Sequence, residues 1–388
     1  MTSHYEDRGV SPHKHEVLAA LQNIDPGLFP NAFCKAIPDI WTGSPDHCVL
    51  LHSDGAGTKA NVAYLAFARH QDPSVFLGIA QDSLVMNLDD LLCVGATGPF
   101  VLSNTIGRNA ALIPGEVLQV LIQSYEFLAK WLQPYHIEIH TCGGETADVG
   151  DLVRTLTVDS TLAVRMRRQD FIDCSRIPPN AAIVGLASSG KAHYETDENS
   201  GIGTNGFTAA RHELLKSQFR TNYPETFAPQ VEHLAYQGDL DLDDLVPETP
   251  WTVAQALLSP TRTYAPIIVQ LLANMKSSIW GMFHNTGGGL TKCVRFAHRA
   301  RFIKNNLFEP PPLFRFIQEK SKLTLQEMAR VFNMGQRFEV ICVPEASSQV
   351  IECAAAFGVQ AKVIGYTAER NTGPALTIEH QGELLHFD

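Results

Sequence analysis

The chain has 388 residues, 45% of them apolar and 18% charged, which suits a folded protein of two domains and excludes a disordered one. A formal net charge of −11 argues against a general nucleic-acid or anionic-membrane binder, because both surfaces repel an acidic protein. No apolar run approaches the ~18 residues that a membrane span needs, and the polar opening MTSHYEDRGVSPHKHE does not read as a signal peptide.

Residues 49–54, Val-Leu-Leu-His-Ser-Asp, read as a buried strand that stops at the turn Gly55-Ala56-Gly57. A helix is expected from about Lys59 to Arg69. A second covers 81–94, with Leu84, Val85, Leu88, Leu91 and Leu92 on one arc. Ile137–Cys142 reads as a strand ending in Gly143-Gly144. The polar stretch Asp173–Asn180, with its two prolines, divides the chain into domains of residues 1–175 and 176–388. A new strand, Ala181–Ala187, follows, then helices over Phe207–Lys216 and Tyr264–Ala273. Residues 191–203 read as a mobile loop and 219–250 as irregular. Strands and helices mixed in both halves predict two α/β domains. The eight cysteines are scattered without a C-x-x-C, and several sit in apolar runs, so reduced thiols in a cytoplasmic protein are expected. His140 and His193 read as structural or surface residues.

Three stretches in the first half carry chemistry. In Asp54-Gly55-Ala56-Gly57-Thr58-Lys59 the glycines let backbone approach a ligand, the amides can bind an anion, and Lys59 adds positive charge. A tight turn with a solvated Asp and Lys is the plainer reading. On the 81–94 helix, Asp82 and Asp89 lie nearly two turns apart, off the apolar arc, with Asp90 adjacent. Three such carboxylates need a cation or solvent to screen them, and either a magnesium site or a solvated face fits. Gly143-Gly144-Glu145-Thr146-Ala147-Asp148 offers carboxylates after a glycine pair, or merely an acidic turn. In the second half, Ser188-Ser189-Gly190, Asn205-Gly206 and Gly287-Gly288-Gly289 offer hydroxyls and free amides, or only turns and helix starts.

The order of these motifs resembles the aminoimidazole ribonucleotide synthetase superfamily, from Tyr5 to about Ile364. Tyr5-Glu6-Asp7-Arg8-Gly9-Val10, Ser259–Tyr264 and Phe332–Gly335 look most like its cyclo-ligase branch, which converts formylglycinamidine ribonucleotide and ATP to aminoimidazole ribonucleotide, ADP and phosphate. The resemblance implies an N-terminal ferredoxin-like sheet that binds ATP and closes a barrel in a homodimer, followed by a C-terminal α/β domain for substrate and phosphate. It implies a small-molecule substrate, with no nucleic acid and no membrane. Carried over by position, Asp54, Asp82, Asp90 and Glu145 would hold Mg2+. Lys59 and Asp90 would act in catalysis. Gly55, Gly57, Thr58, Lys59, Ser188, Ser189, Gly190, Asn205, Gly206, Gly287, Gly288 and Gly289 would contact ATP, substrate or phosphate. Other ATP-dependent members, such as a formylglycinamidine ribonucleotide synthetase-like protein or a phosphotransferase, and a non-catalytic ATP-binding scaffold, are the alternatives.

The sequence departs from the commoner pattern at four places. Phe29–Lys35 stands where members have Gly-Gly-Phe-Gly. Asp89-Asp90 replaces Asn-Asp. An insertion over 191–203, expected to be either a lid or a surface excursion, splits Ser-Ser-Gly from Asn-Gly. Met334-Gly-Gln-Arg-Phe338 replaces Cys-Gly-Val-Gly-Met. These departures suggest a divergent branch.

Overall fold

The computed structural model describes residue 20 and residues 24–388, so the Tyr5–Val10 opening lies outside the described residues. Two sheets organise the chain. The first contains β1 (Ala36–Pro38), β2 (His47–Gly55), β3 (Phe100–Arg108), β4 (Ile139–Asp148) and β5 (Leu156–Arg167), in the order β1-β2-β5-β3-β4. Only β3 and β4 pair in parallel, which their helical connection requires. Helices α1 (Lys59–His70) and α2 (Leu77–Leu92) join β2 to β3, and α3 (Gly115–Leu132) joins β3 to β4. α2 lies across β2 and β5, and α3 packs on α2. The other face of the sheet leaves Leu51 and Val101 68% and 40% exposed.

The second sheet contains β6 (Ala182–Ala187), β7 (Ile279–His284), β8 (Ala300–Lys304), β9 (Gln336–Cys342), β10 (Ala361–Glu369), β11 (Leu376–His380) and β12 (Glu383–Phe387). Their order is β12-β11-β8-β10-β6-β9-β7. β6 and β9 are buried along their whole length, which is why Ala-Ile-Val-Gly-Leu-Ala reads as a continuous apolar run. Helices α4 (Phe207–Leu214), α5 (Ala265–Met275) and α6 (Ser347–Ala356) accompany this sheet. α5 starts where Pro266, with its preset φ and missing N–H, costs a first turn nothing. One apolar cluster joins Leu50, Leu84 and Leu88 to Val184, Phe338 and Val340, so the halves share core.

Three expectations change. β4 does not stop at Gly143-Gly144 but runs on to Asp148. Gly144 permits this, since a Cβ there would lie 2.2 Å from the Asn104 carbonyl oxygen of β3. α2 starts at Leu77, directly after a turn in which the Asp72 side chain accepts from Ser74 N–H. Its off-arc residues Asp82 and Asp89 are fully buried, because Thr261–Tyr264 packs over them. Residues 191–203 are irregular but tethered. Arg262 forks onto Glu195 at 2.9 and 2.5 Å, Ser200 Oγ donates to the Ala256 carbonyl, and Asn333 Nδ2 donates to that of Gly201.

Candidate functional site

Where β2 ends, a cavity of about 490 Å3 opens between the two halves. Its first-half wall is His52, Ser53, Asp54, Gly55 and Gly57, with Met86 and Asp90 from α2 and Phe33 from the segment before β1. Its second-half wall includes Asn205, Gly206, Thr286, Gly287 and Gly288, with Lys292, Arg295 and Arg330. Gly55 has a steric reason: an added Cβ would sit 1.7 Å from Asp159 Oδ1, so only glycine lets this carboxylate close on the turn. Gly206 is likewise bound to its residue type by a φ of +75° and by the Phe332 ring, 2.3 Å from a Cβ.

Asp90 is the electrostatic centre of the wall. Its Oδ1 accepts from His284 Nδ1 at 2.8 Å, and its Oδ2 lies 3.3 Å from His52 Nε2. Burial alone would raise this carboxyl, but the bonds from His284 and His52 outweigh it and hold Asp90 well below the usual carboxylate range. Burial also lowers His284, to about 4, which leaves a neutral ring. His52 moves the other way. Burial opposes its charge, but the bond to Asp90, its charge and the contact with Asn87 raise its pKa. Asn87 is oriented by donating Nδ2 to the carbonyls of Ser83 and Ser160, so its Oδ1 faces His52 Nδ1 at 2.8 Å.

Positive charge comes from residues that the motif reading did not single out. Lys292 Nζ donates to Thr286 Oγ1 at 2.9 Å and stands 5.2 Å from the Phe33 ring centre. Phe33 stacks on Phe296 with centroids 5.6 Å apart. The segment that replaces Gly-Gly-Phe-Gly therefore does reach the cavity. Lys292 and Arg295 follow the glycine triplet by three and six residues, a spacing that was available in the sequence as a signal.

Of the expected site residues, Asp54, Gly55, Gly57, Asp90, Asn205, Gly206, Gly287 and Gly288 meet at this cavity. The buried Asn205 Oδ1 has no partner among the described residues. Several others are elsewhere. Lys59 has no exposure, and its Nζ donates to Asp82 Oδ1 at 3.0 Å and to the carbonyls of Gly203 and Ser259 at 3.1 and 2.6 Å. Expected on phosphate and on magnesium, Lys59 and Asp82 instead form a buried pair, because two domains close over them. Burial lowers the Lys59 pKa in spite of the partner carboxylate. Ser188 Oγ donates to Asn333 Oδ1, while the carbonyls of Ser189 and Gly190 receive the Arg262 guanidinium. These three residues brace the insertion and do not face the cavity. Thr58 lines a neighbouring cavity beside Thr208, and Gly289 is packed against backbone of Ala329 and Phe332.

The four carboxylates expected around magnesium do not converge. Asp82 is held by Lys59 and Thr261, both oxygens of Asp90 face imidazoles, and Glu145 is exposed on β4, an edge strand. Among the described residues no three His, Cys, Asp or Glu are grouped to hold a metal ion. Asp54 faces the cavity, where its Oδ1 accepts from Gly55 N–H at 2.7 Å.

A family model described as AIR synthase related protein, C-terminal domain, matches residues 179–375, and the corresponding N-terminal domain model matches 35–164. The chain belongs to the AIR synthase related family. Within that family it is 27% identical over 370 residues to a Methanocaldococcus jannaschii protein named phosphoribosylformylglycinamidine cyclo-ligase, covering 93% of this chain and 91% of that one. Among solved structures it is similar in fold to AaThiL complexed with AMPPCP and TMP, with a TM-score of 0.55 and 10% identity over 95% of this chain and 94% of that one. It is also similar to T. maritima PurL complexed with FGAR, with a TM-score of 0.51 and 14% identity. There the match covers 87% of this chain but only 44% of that longer one. Among the described residues no helix is long and apolar enough to cross a membrane.

Proposed function

We propose that the protein is an ATP-dependent cyclo-ligase that closes formylglycinamidine ribonucleotide to aminoimidazole ribonucleotide, with release of ADP and phosphate. The observation that carries this reading is the near full-length match to a relative named for that activity. The likeness in fold to AaThiL complexed with AMPPCP and TMP supports a nucleotide as the second ligand. The cavity supports a phosphate-rich one: Lys292, Arg295 and Arg330 offset charge, and Gly206, Gly287 and Gly288 leave backbone approachable.

In this reading the γ-phosphoryl group moves from ATP to the formyl amide oxygen and ADP leaves. A substrate nitrogen then attacks the activated carbon, loses a proton, and phosphate departs with the former amide oxygen. The chain's part is to bind and orient. The cations hold the phosphates, Asn205 Oδ1 accepts an N–H of the substrate, and His52 and Asp90 stand where a proton is exchanged. Asp54, on the cavity wall, would be the carboxylate to hold a magnesium ion entering with the nucleotide, and such an ion would offset phosphate charge. The decisive assay is coupled ADP release with formylglycinamidine ribonucleotide, with mass detection of the cyclised product. ADP release without that product would sink the reading.

The proposal includes a homodimer. β4 is an exposed edge, and the face carrying Leu51 and Val101 has no helix across it among the described residues, as a sheet awaiting a second copy would. Light scattering at micromolar concentration should give twice the 42.7 kDa chain mass, and a monomer would count against the dimer.

A further inference from the structure

Arg337, on β9, is a cation buried to 1% exposure whose donors are poorly matched to acceptors. Its Nη1 has no hydrogen-bond partner among the described residues, and its Nη2 meets only the sulfur of Met86, at 3.2 Å. No carboxylate forms an ion pair with it among the described residues, although burying a guanidinium usually demands one. The fold nevertheless makes room for it, since a Cβ on Gly203 would lie 1.3 Å from Nη1. An arrangement this costly, kept by a glycine on another segment, needs a reason other than stability.

The one strong bond of Arg337 supplies it. Its Nε–H donates to His284 Nε2 at 3.0 Å. A ring nitrogen that accepts carries no proton, so the proton of the neutral imidazole sits on Nδ1. Nδ1 then donates to Asp90 Oδ1 at 2.8 Å. The opposite tautomer would set two N–H groups against each other at Arg337 and a lone pair against the carboxylate. We infer that Arg337 is a positioning residue, which locks His284 in its Nδ1–H tautomer and thereby fixes the Asp90 carboxylate at the cavity wall, between His284 and His52. His284 registers opposite Phe338, next to Arg337, so the β7–β9 pairing sets this geometry.

The inference deepens the proposed cyclo-ligase reading, but its first test does not depend on it. Long-range proton–nitrogen correlation on protein labelled with 15N-histidine, assigned with His284→Gln, should show His284 protonated on Nδ1. A wild-type ring protonated on Nε2 overturns the inference with no variant needed. Arg337→Met removes the donor at similar length, and should convert His284 to a tautomer mixture. It should also lower kcat for ADP release about tenfold or more with KM for ATP changed less than about threefold. Arg337→Gln, which keeps an amide donor, should restore part of both signals. If Arg337→Met keeps both the tautomer and kcat, the positioning role is wrong. If wild-type protein releases no ADP with formylglycinamidine ribonucleotide, the cyclo-ligase reading fails while the nuclear resonance signal still decides the role of Arg337.

Discussion

Lys59 and Asp82 meet as a fully buried ion pair, Nζ 3.0 Å from Oδ1, between the start of α1 and the first turns of α2. The Lys59 ammonium also donates to carbonyls of Gly203 and Ser259, so one side chain ties both halves of the chain together. Removing one member of such a pair strands a buried charge, and typical costs are about 3–5 kcal/mol. Lys59→Met should therefore lower the urea midpoint strongly. Lys59→Met combined with Asp82→Leu should recover a large part of it. A Lys59→Met variant of undiminished stability that loses only ATP affinity would return this residue to the phosphate role expected from its motif.

This pair shows where reading the sequence runs out. The run from β2 through Gly55-Ala56-Gly57 into α1 was legible because a buried apolar strand, two glycines and a helical pattern are local signals. The convergence of Asp54, Asp90, Asn205 and Gly287 on one cavity could be expected from the motif order. What side chains across the domain junction do is not a local property. Thr261 lies 179 residues from Asp82, so nothing near Asp82 announces that its carboxylate is already used. Nothing near His284 or His52 in the chain announces that Asp90 lies between them. The departures at Asp89 and Arg337, far apart in the chain, face each other closely enough for each charge to bear on the other.

Asp89 gives a prediction with a definite sign. Its carboxyl is buried under Thr263 and Tyr264, and desolvation raises its pKa to about 7 despite bonds from Thr263 Oγ1 and Tyr264 N–H and the charge of Arg337. A carboxyl raised on folding binds more protons in the native than in the unfolded state. Stability therefore falls as pH climbs from about 4 to about 7, by up to roughly 4 kcal/mol at ~1.4 kcal/mol per unit. Asparagine keeps an acceptor for Tyr264 N–H and a donor toward Thr263. Asp89→Asn should raise Tm at pH 8 by several degrees and change it little at pH 4, as read by calorimetry. A larger gain at the acid end would mean that Asp89 is ionised throughout.

Lys292 and Arg330 should carry nucleotide affinity while Asp90 carries turnover. Lys292 is braced by Thr286 and Phe33, so its ammonium is directed into the cavity without being buried. Lys292→Met and Arg330→Met should each raise KM for ATP about tenfold or more and leave Tm within a few degrees. Asp90→Asn should depress kcat more than KM, since it disturbs both imidazoles. Unchanged KM values in both cation variants would move the phosphates away from this cavity.

Residues 191–203 should behave as fixed structure before any ligand arrives. Trp131 Nε1 donates to the Tyr194 carbonyl at 3.0 Å, and Tyr194 Oη donates to that of Thr263 at 2.7 Å. Asn199 Nδ2 reaches the Pro260 carbonyl, and Lys59 reaches that of Gly203. A lid that orders around substrate has few such tethers, whereas this segment is joined to α3, to the Ser259–Tyr264 stretch and to α1. Amides over 199–203 should thus exchange slowly in ligand-free protein, and ATP should add little protection. Glu195→Gln is the sharper probe. It breaks the fork with Arg262, leaves that guanidinium buried against the carbonyls of Ala187, Ser189 and Gly190, and should cost about 3 kcal/mol or more. Exchange in 199–203 should then accelerate well before global unfolding, because the segment loses its central anchor. Fast exchange in the wild-type protein that slows only when ATP and substrate are both bound would instead make the insertion a lid.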